Sequence, residues 1–173
     1  MLKKITMLLL LFWGQQHSFS QFSEAKLQAT GLTCALCSKA IHQELKKLPF
    51  VQKVSARIKE SAFDIIAKPG ESIAPDQIRT AVEDAGFFVG ALYLTRAQSA
   101  SLPEANAPFK EGSSYFCVLG SNGKGQGNTY QVLNEHFLTE KAFSKISGSS
   151  LGATLRQQPV SIEGTPVFYL KIQ

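Results

Sequence analysis

Methionine is almost missing from this chain: two in 173 residues, Met1 and Met7, both at the very start. Any soft-metal site further along has no thioether to draw on and must rest on thiolates or imidazoles. Cysteine is scarce too, at Cys34, Cys37 and Cys117, and the odd count excludes a fully paired disulfide framework within one chain. The net charge of +5 is modest and spread along the chain without an Arg/Lys stripe, which disfavours nucleic acid as a main partner. No long hydrophobic run exists. The longest, Ile5 to Trp13, has about half the roughly 20 apolar residues needed to cross a bilayer, so no stable membrane insertion is expected. No Ser/His/Asp set or paired carboxylates point to hydrolysis, and no internal repeat is visible. The glycine-rich stretch "SNGKGQGN" at 121–128 lacks phosphate-loop spacing and reads as a hairpin turn.

What is present begins with a targeting pattern. Lys3 and Lys4 precede the apolar run, polar residues 14–17 follow it, and Ser18-Phe19-Ser20 supplies small residues at the positions a signal peptidase reads. This is the layout of a signal peptide spanning residues 1–20, with cleavage after Ser20 and a retained anchor as the alternative. No cysteine follows the run, which excludes a lipid-modified N-terminal cysteine. The expected location is secreted or periplasmic, in the cell envelope. Loss of residues 1–20 takes Lys3, Lys4 and no acid, leaving 153 residues with a net charge of +3.

Residues 24–95 alternate helical and strand periodicities. Lys26–Thr30 reads as a strand leading to the cysteines. From Ser38 to Leu48, Ala40, Ile41, Leu45 and Leu48 fall at helical spacing until Pro49. Val54, Ala56 and Ile58 alternate, Lys59-Glu60-Ser61 turns, and Phe63, Ile65 and Ala67 alternate on the way back. Pro75 and Asp76 open a second helix with a buried face of Ile78, Ala81, Val82 and Ala85, stopped by Gly86. A strand from Phe87 to Leu94 completes the order βαββαβ, the ferredoxin-like sandwich. The fold class is therefore α+β, with 21–95 as the first domain. "RAQSASLPEANAPFKEG" at 96–112 reads as a linker. Residues 113–173 suggest a small mainly-β domain, barrel- or sandwich-like. Its expected strands are Tyr115–Leu119, Thr129–Leu133, Ala153–Arg156, Pro159–Ile162 and Val167–Ile172, with one helix, Thr139–Ile146, N-capped by Thr139.

The chemistry centres on residues 31–41, "GLTCALCSKAI". Cys37 lies in the first turn of the first helix and Cys34 in the loop ahead. Unpaired backbone N–H groups and the helix dipole favour anions there, so both thiols should ionise more readily than a free cysteine. Two such thiolates suit a soft d¹⁰ ion such as Cu(I), whereas Zn(II) wants four ligands that nothing nearby supplies. His42 points away from the loop in helical phase and reads as solvent-facing. His136 has no partner spaced for ligation, and Cys117, between Phe116 and Val118, reads as a buried small hydrophobe. Two other uses of the pair stay open: thiol–disulfide exchange, and an inert Cys34–Cys37 disulfide in an oxidising compartment.

The same residues resemble the heavy-metal-associated domain family, whose usual metal loop reads G-M-T-C-x-x-C. The likeness extends over 24–95 and includes Leu45, Leu48-Pro49, Val51 and "DAGFF" at 84–88. Members are copper chaperones, N-terminal domains of metal-pumping ATPases and a small secreted mercury-binding protein. The resemblance implies that Cys34 and Cys37 bind Cu(I), or another soft ion among Hg, Ag, Cd and Zn, and pass it on by ligand exchange. It implies a metallochaperone-like carrier, buffer or detoxifier of metal, not an enzyme. Its partner would be a metal-transporting ATPase or another envelope metal-handling protein. It also implies that Phe87 packs against the metal loop. Leu32 stands where the family usually has Met, and Phe50 where it has Gly. Against this stand a thiol–disulfide oxidoreductase, because "GTPVF" at 164–168 resembles the cis-proline segment of thioredoxin-like folds, and a non-metal interaction module on the same fold. No Trp stands directly before Cys34, and Gly164-Thr165-Pro166 also reads as a plain turn into the last strand.

Overall fold

A computed structural model describes residues 22–32, 35–97, 104–120 and 127–173. The expected signal segment, Thr33, Cys34 and part of the expected linker lie outside the described residues. The chain order is β1 (Phe22–Thr30), α1 (Ala35–Lys47), β2 (Val51–Arg57), β3 (Ala62–Ala67), α2 (Pro75–Asp84) and β4 (Phe88–Arg96). This is the expected βαββαβ unit. Its strands lie in the order β2-β3-β1-β4, all antiparallel.

Sequence explains each helix. In α1, Ile41 and Leu45 are fully buried one turn apart, and Lys46 and Lys47 in the last turn complement the negative end of the helix dipole. In α2, Pro75 occupies the first turn, where its missing N–H costs nothing, and Ile78, Ala81 and Val82 form the buried stripe. The helix stops at Gly86, whose φ of +85° favours glycine. Gly86 N–H donates to Glu83 O at 2.8 Å and Phe87 N–H to Val82 O at 3.0 Å, satisfying the last carbonyls. This stop aims Phe87 back at the core, where it packs half-buried. Phe50 needs no glycine-like backbone, since its φ is not positive, and its ring is buried in the core.

Beyond β4 the chain is rich in β-structure, but its strands do not close on themselves as a barrel. They are β5 (Pro108–Glu111), β6 (Ser114–Val118), β7 (Thr129–Val132), β8 (Ser161–Ile162) and β9 (Thr165–Ile172). β7 adds to the outer edge of β4 through Tyr93↔Gln131, Leu94↔Tyr130 and Thr95↔Thr129, and the sheet runs on as β7-β9-β6-β5. An open β4 edge leaves a row of unpaired backbone donors and acceptors, and β7 satisfies three residues of it. β5 falls in the stretch expected as a linker. Residues 121–126 of the expected hairpin turn lie outside the described residues. The flanking strands β6 and β7 are not paired with each other, because β9 lies between them.

Two helices interrupt the strands, α3 (Glu140–Ser147) and α4 (Ser150–Arg156). Thr139 caps α3 as expected, its hydroxyl accepting from Ala142 N–H. Residues Ala153–Arg156, expected as a strand, are helical instead. The Ser149 hydroxyl caps α4 by accepting from Gly152 N–H, and Leu151 and Leu155, four apart, pack on one core.

Along β6 the side chains alternate between two cores. Phe116 joins the core shared with α1 and α2, and Cys117 the smaller one under α3 and α4. The larger core is continuous across the molecule. Phe22 of β1 lies 5.2 Å from Phe116 and 5.8 Å from Tyr130, centroid to centroid, and Phe116 in turn contacts Phe168.

α3 and α4 meet at Gly152, where an added Cβ would stand 2.3 Å from Ile146 O and 2.6 Å from Ser147 Cα. Alanine favours a helix by about 1 kcal/mol over glycine. Here the neighbours are backbone and cannot rotate away, so overpacking of about 1–3 kcal/mol outweighs it. Gly152→Ala is expected to lower the denaturant midpoint at unchanged slope; an unchanged or raised midpoint would contradict this packing.

Candidate metal-binding site

Cys37 sits in the first turn of α1, half-buried, behind the exposed Leu36. No acidic residue occupies that turn, so nothing competes with an anionic sulfur for the positive end of the helix dipole. Cys37 is disulfide-bonded, whereas Cys117 is free. Cys34, the other expected ligand, lies outside the described residues.

The base of the cysteine segment is anchored by packing. Leu32 rests half-buried on the main core. Gly31, at φ +80°, lies beside the Phe87 ring, whose Cδ1 would be 3.9 Å from an added Cβ. Phe87 therefore lies beside Gly31, which leads toward the cysteines.

The remaining candidates stand apart from this end. His42 is not solvent-facing as expected: it is half-buried, and its Nε2–H donates to Val54 O at 3.2 Å, tying α1 to β2. The sequence pattern showed its helical phase but not the neighbouring strand. His136 lies in the short turn after β7. Among the described residues no group of three or more His, Cys, Asp or Glu could hold a metal ion. A trough of about 910 Å³ crosses the open face of the sheet; of the charges that line it, Arg57 Nε meets Asp64 at 2.5 Å and Lys26 reaches Glu60 at 2.8 Å.

Pro166 belongs to the end of a hairpin. Ser161 pairs with Pro166 and Ile162 with Thr165 across Glu163-Gly164, both at positive φ, as a two-residue turn requires. The Thr165–Pro166 peptide bond is trans.

Cys117 is fully buried in β6 beside Tyr169, and burial pushes its thiol up. Burial also pushes the Tyr169 hydroxyl up to about 12, helped by Cys117, and that hydroxyl donates to Pro159 O. Iodoacetamide at neutral pH should therefore label Cys117 only as fast as the protein unfolds, and Cys117→Ala should leave metal affinity unchanged. Labelling of the folded protein at the rate of an exposed thiol, or a loss of metal affinity, would contradict this placement.

Comparison with known proteins now decides what the first unit is. The model of the heavy-metal-associated domain matches residues 26–88. This segment is a heavy-metal-associated domain. It is thus a metal-binding module and not an enzyme. Three similar solved structures are a copper-binding domain from a P-type ATPase (31% identity, 38% of this chain and 86% of that one, TM-score 0.34), a yeast copper transporter domain in apo and Cu(I)-loaded states (26%, 38% and 88%, TM-score 0.34) and the water-soluble region of the P-type ATPase CopA from Bacillus subtilis (28%, 42% and 47%, TM-score 0.36). No curated protein matches. The match runs from Lys26 within β1 to Phe88 at the start of β4 and leaves the rest of the sheet outside.

Proposed function

We propose that Cys34 and Cys37 form a two-thiolate site for Cu(I), and that the protein carries, buffers or detoxifies this ion in the cell envelope after loss of residues 1–20. The observation that supports the reading is Cys37 in the first turn of α1, a turn with no acidic residue, inside a heavy-metal-associated domain. Two thiolates at a helix N-terminus suit a soft monovalent ion that accepts two sulfurs.

Reduction of the Cys37 disulfide by a dithiol reductant takes two electrons and two protons, yields two thiols and leaves the reductant as a disulfide. Cu(I) then displaces the protons as it binds, and transfer to a recipient proceeds by exchange of one sulfur ligand at a time. The copper-binding transport domains among the similar structures make a metal-transporting ATPase the proposed recipient or donor. Among the described residues no helix is long and apolar enough to cross a membrane. The test is a Cu(I) titration against a competing chelator, with and without prior reduction. Reduced protein should take up one equivalent per chain and unreduced protein none. Failure of the reduced protein to compete would refute the assignment.

A further inference from the structure

The part of the chain outside the heavy-metal-associated domain is built against that domain at the cysteine end. After β7 a short 3₁₀ turn, Glu135–Phe137, leads to Leu138, which bridges to Ala91 of β4, and Thr139 N–H donates to Gly90 O at 3.2 Å. At Gly90 an added Cβ would stand 2.8 Å from Thr30 Cγ2, so the missing side chain makes room for Thr30 at the end of β1. The result is a cleft of about 500 Å³ between the two parts, walled by Thr30 and Phe88 on one side and by Glu135, His136, Glu140 and Phe143 on the other. Thr30 ends β1, and its hydroxyl donates to Phe88 O at 3.3 Å; Gly31 and Leu32 then lead into the cysteines.

Two properties set this cleft apart. Phe88 is 70% exposed, a large aromatic surface at its rim. Its lining is acidic on a chain of net charge +5: Glu135, Glu140 and Glu83 line it, and no Lys or Arg does. Arg79 pairs with Glu83 at 2.8 Å, but among the described residues no ion pair engages Glu135 or Glu140. Lys141 follows Glu140 in sequence without lining the cleft.

We propose that this cleft docks a basic, partly apolar polypeptide segment of the protein that exchanges metal with Cys34 and Cys37; the identity of the exchange rests on the Cu(I) reading above. Glu135 and Glu140 steer the cationic segment at long range, and Phe88 and Phe143 receive its apolar side chain on contact. The C-terminal part thereby selects the recipient, a role the metal loop cannot fill by thiol chemistry alone.

The test uses the whole reduced, metal-free protein and two synthetic peptides of equal length, one of Lys, Phe and Gly, the other with Glu replacing every Lys. The basic peptide should bind, shift the amide resonances of Phe88, His136 and Phe143, and bind more weakly as salt rises. The acidic peptide should not bind. The double variant Glu135→Lys/Glu140→Lys should slow association roughly tenfold at low salt, and Phe88→Ala should speed dissociation, both with Cu(I) affinity unchanged. Equal binding of both peptides, shifts confined to the open sheet face, or a self-dimer that the double variant dissociates would overturn the proposal. Because docking is read without copper, a failed Cu(I) titration would refute the metal assignment and leave this result standing or falling separately.

Discussion

Cys34→Ser or Cys37→Ser is expected to remove Cu(I) binding from the reduced protein rather than merely weaken it. A hydroxyl is a hard, neutral ligand, and Cu(I) favours soft sulfur. No rescue is at hand: both methionines lie within the first seven residues, Cys117 is fully buried in the smaller core, and no other His, Cys, Asp or Glu cluster stands among the described residues. Loss of a group that only supports a metal ligand typically costs about 10- to 100-fold in affinity, so loss of a ligand itself should exceed that. Competition with a chelator measures it. A double serine variant that still holds one equivalent of copper would falsify the assignment.

The second large effect concerns the fold. Phe22 is fully buried at the start of β1, in ring contact with Phe109, Phe116 and Tyr130. Phe22→Ala is expected to cost about 3–5 kcal/mol. Because that ring joins β1 to strands beyond β4, the loss should be felt by the whole sheet as one transition, lowering the melting temperature by roughly 10 °C. Sequence alone suggests that residues 21–96 fold by themselves, but such a fragment would expose Phe22 and the β4 edge that β7 covers. Calorimetry on the full chain distinguishes the two. Two separate transitions, one of them unmoved by Phe22→Ala, would contradict a shared core.

These two cases show where sequence is legible. Local periodicity and stop signals sufficed for βαββαβ: Ile41 and Leu45 on α1, Pro75 opening α2 and Gly86 closing it all act within a few residues of themselves. The helix start that holds Cys37 was legible for the same reason, its signals lying within a few residues of it. What escaped is non-local. That β7 pairs with β4 is a choice between strands some 35 residues apart, and Phe22 meeting Phe116 depends on that choice. His42 looked solvent-facing because its partner is a backbone carbonyl of β2, which carries no side-chain signature. The strand expected at Ala153–Arg156 had a readable counter-signal in Ser149 and the Leu151–Leu155 spacing, which marks a capped helix. The cleft at Glu135 and Glu140 could not be read at all, since its two walls belong to distant parts of the chain.

The most direct measurement of the central claim is X-ray absorption at the copper edge of the reduced, Cu(I)-loaded protein, alone and as Cys37→Ser. The account predicts a first shell of two sulfur atoms with no nitrogen or oxygen, lost in the variant. A shell dominated by nitrogen or oxygen, or one unchanged by Cys37→Ser, would contradict it.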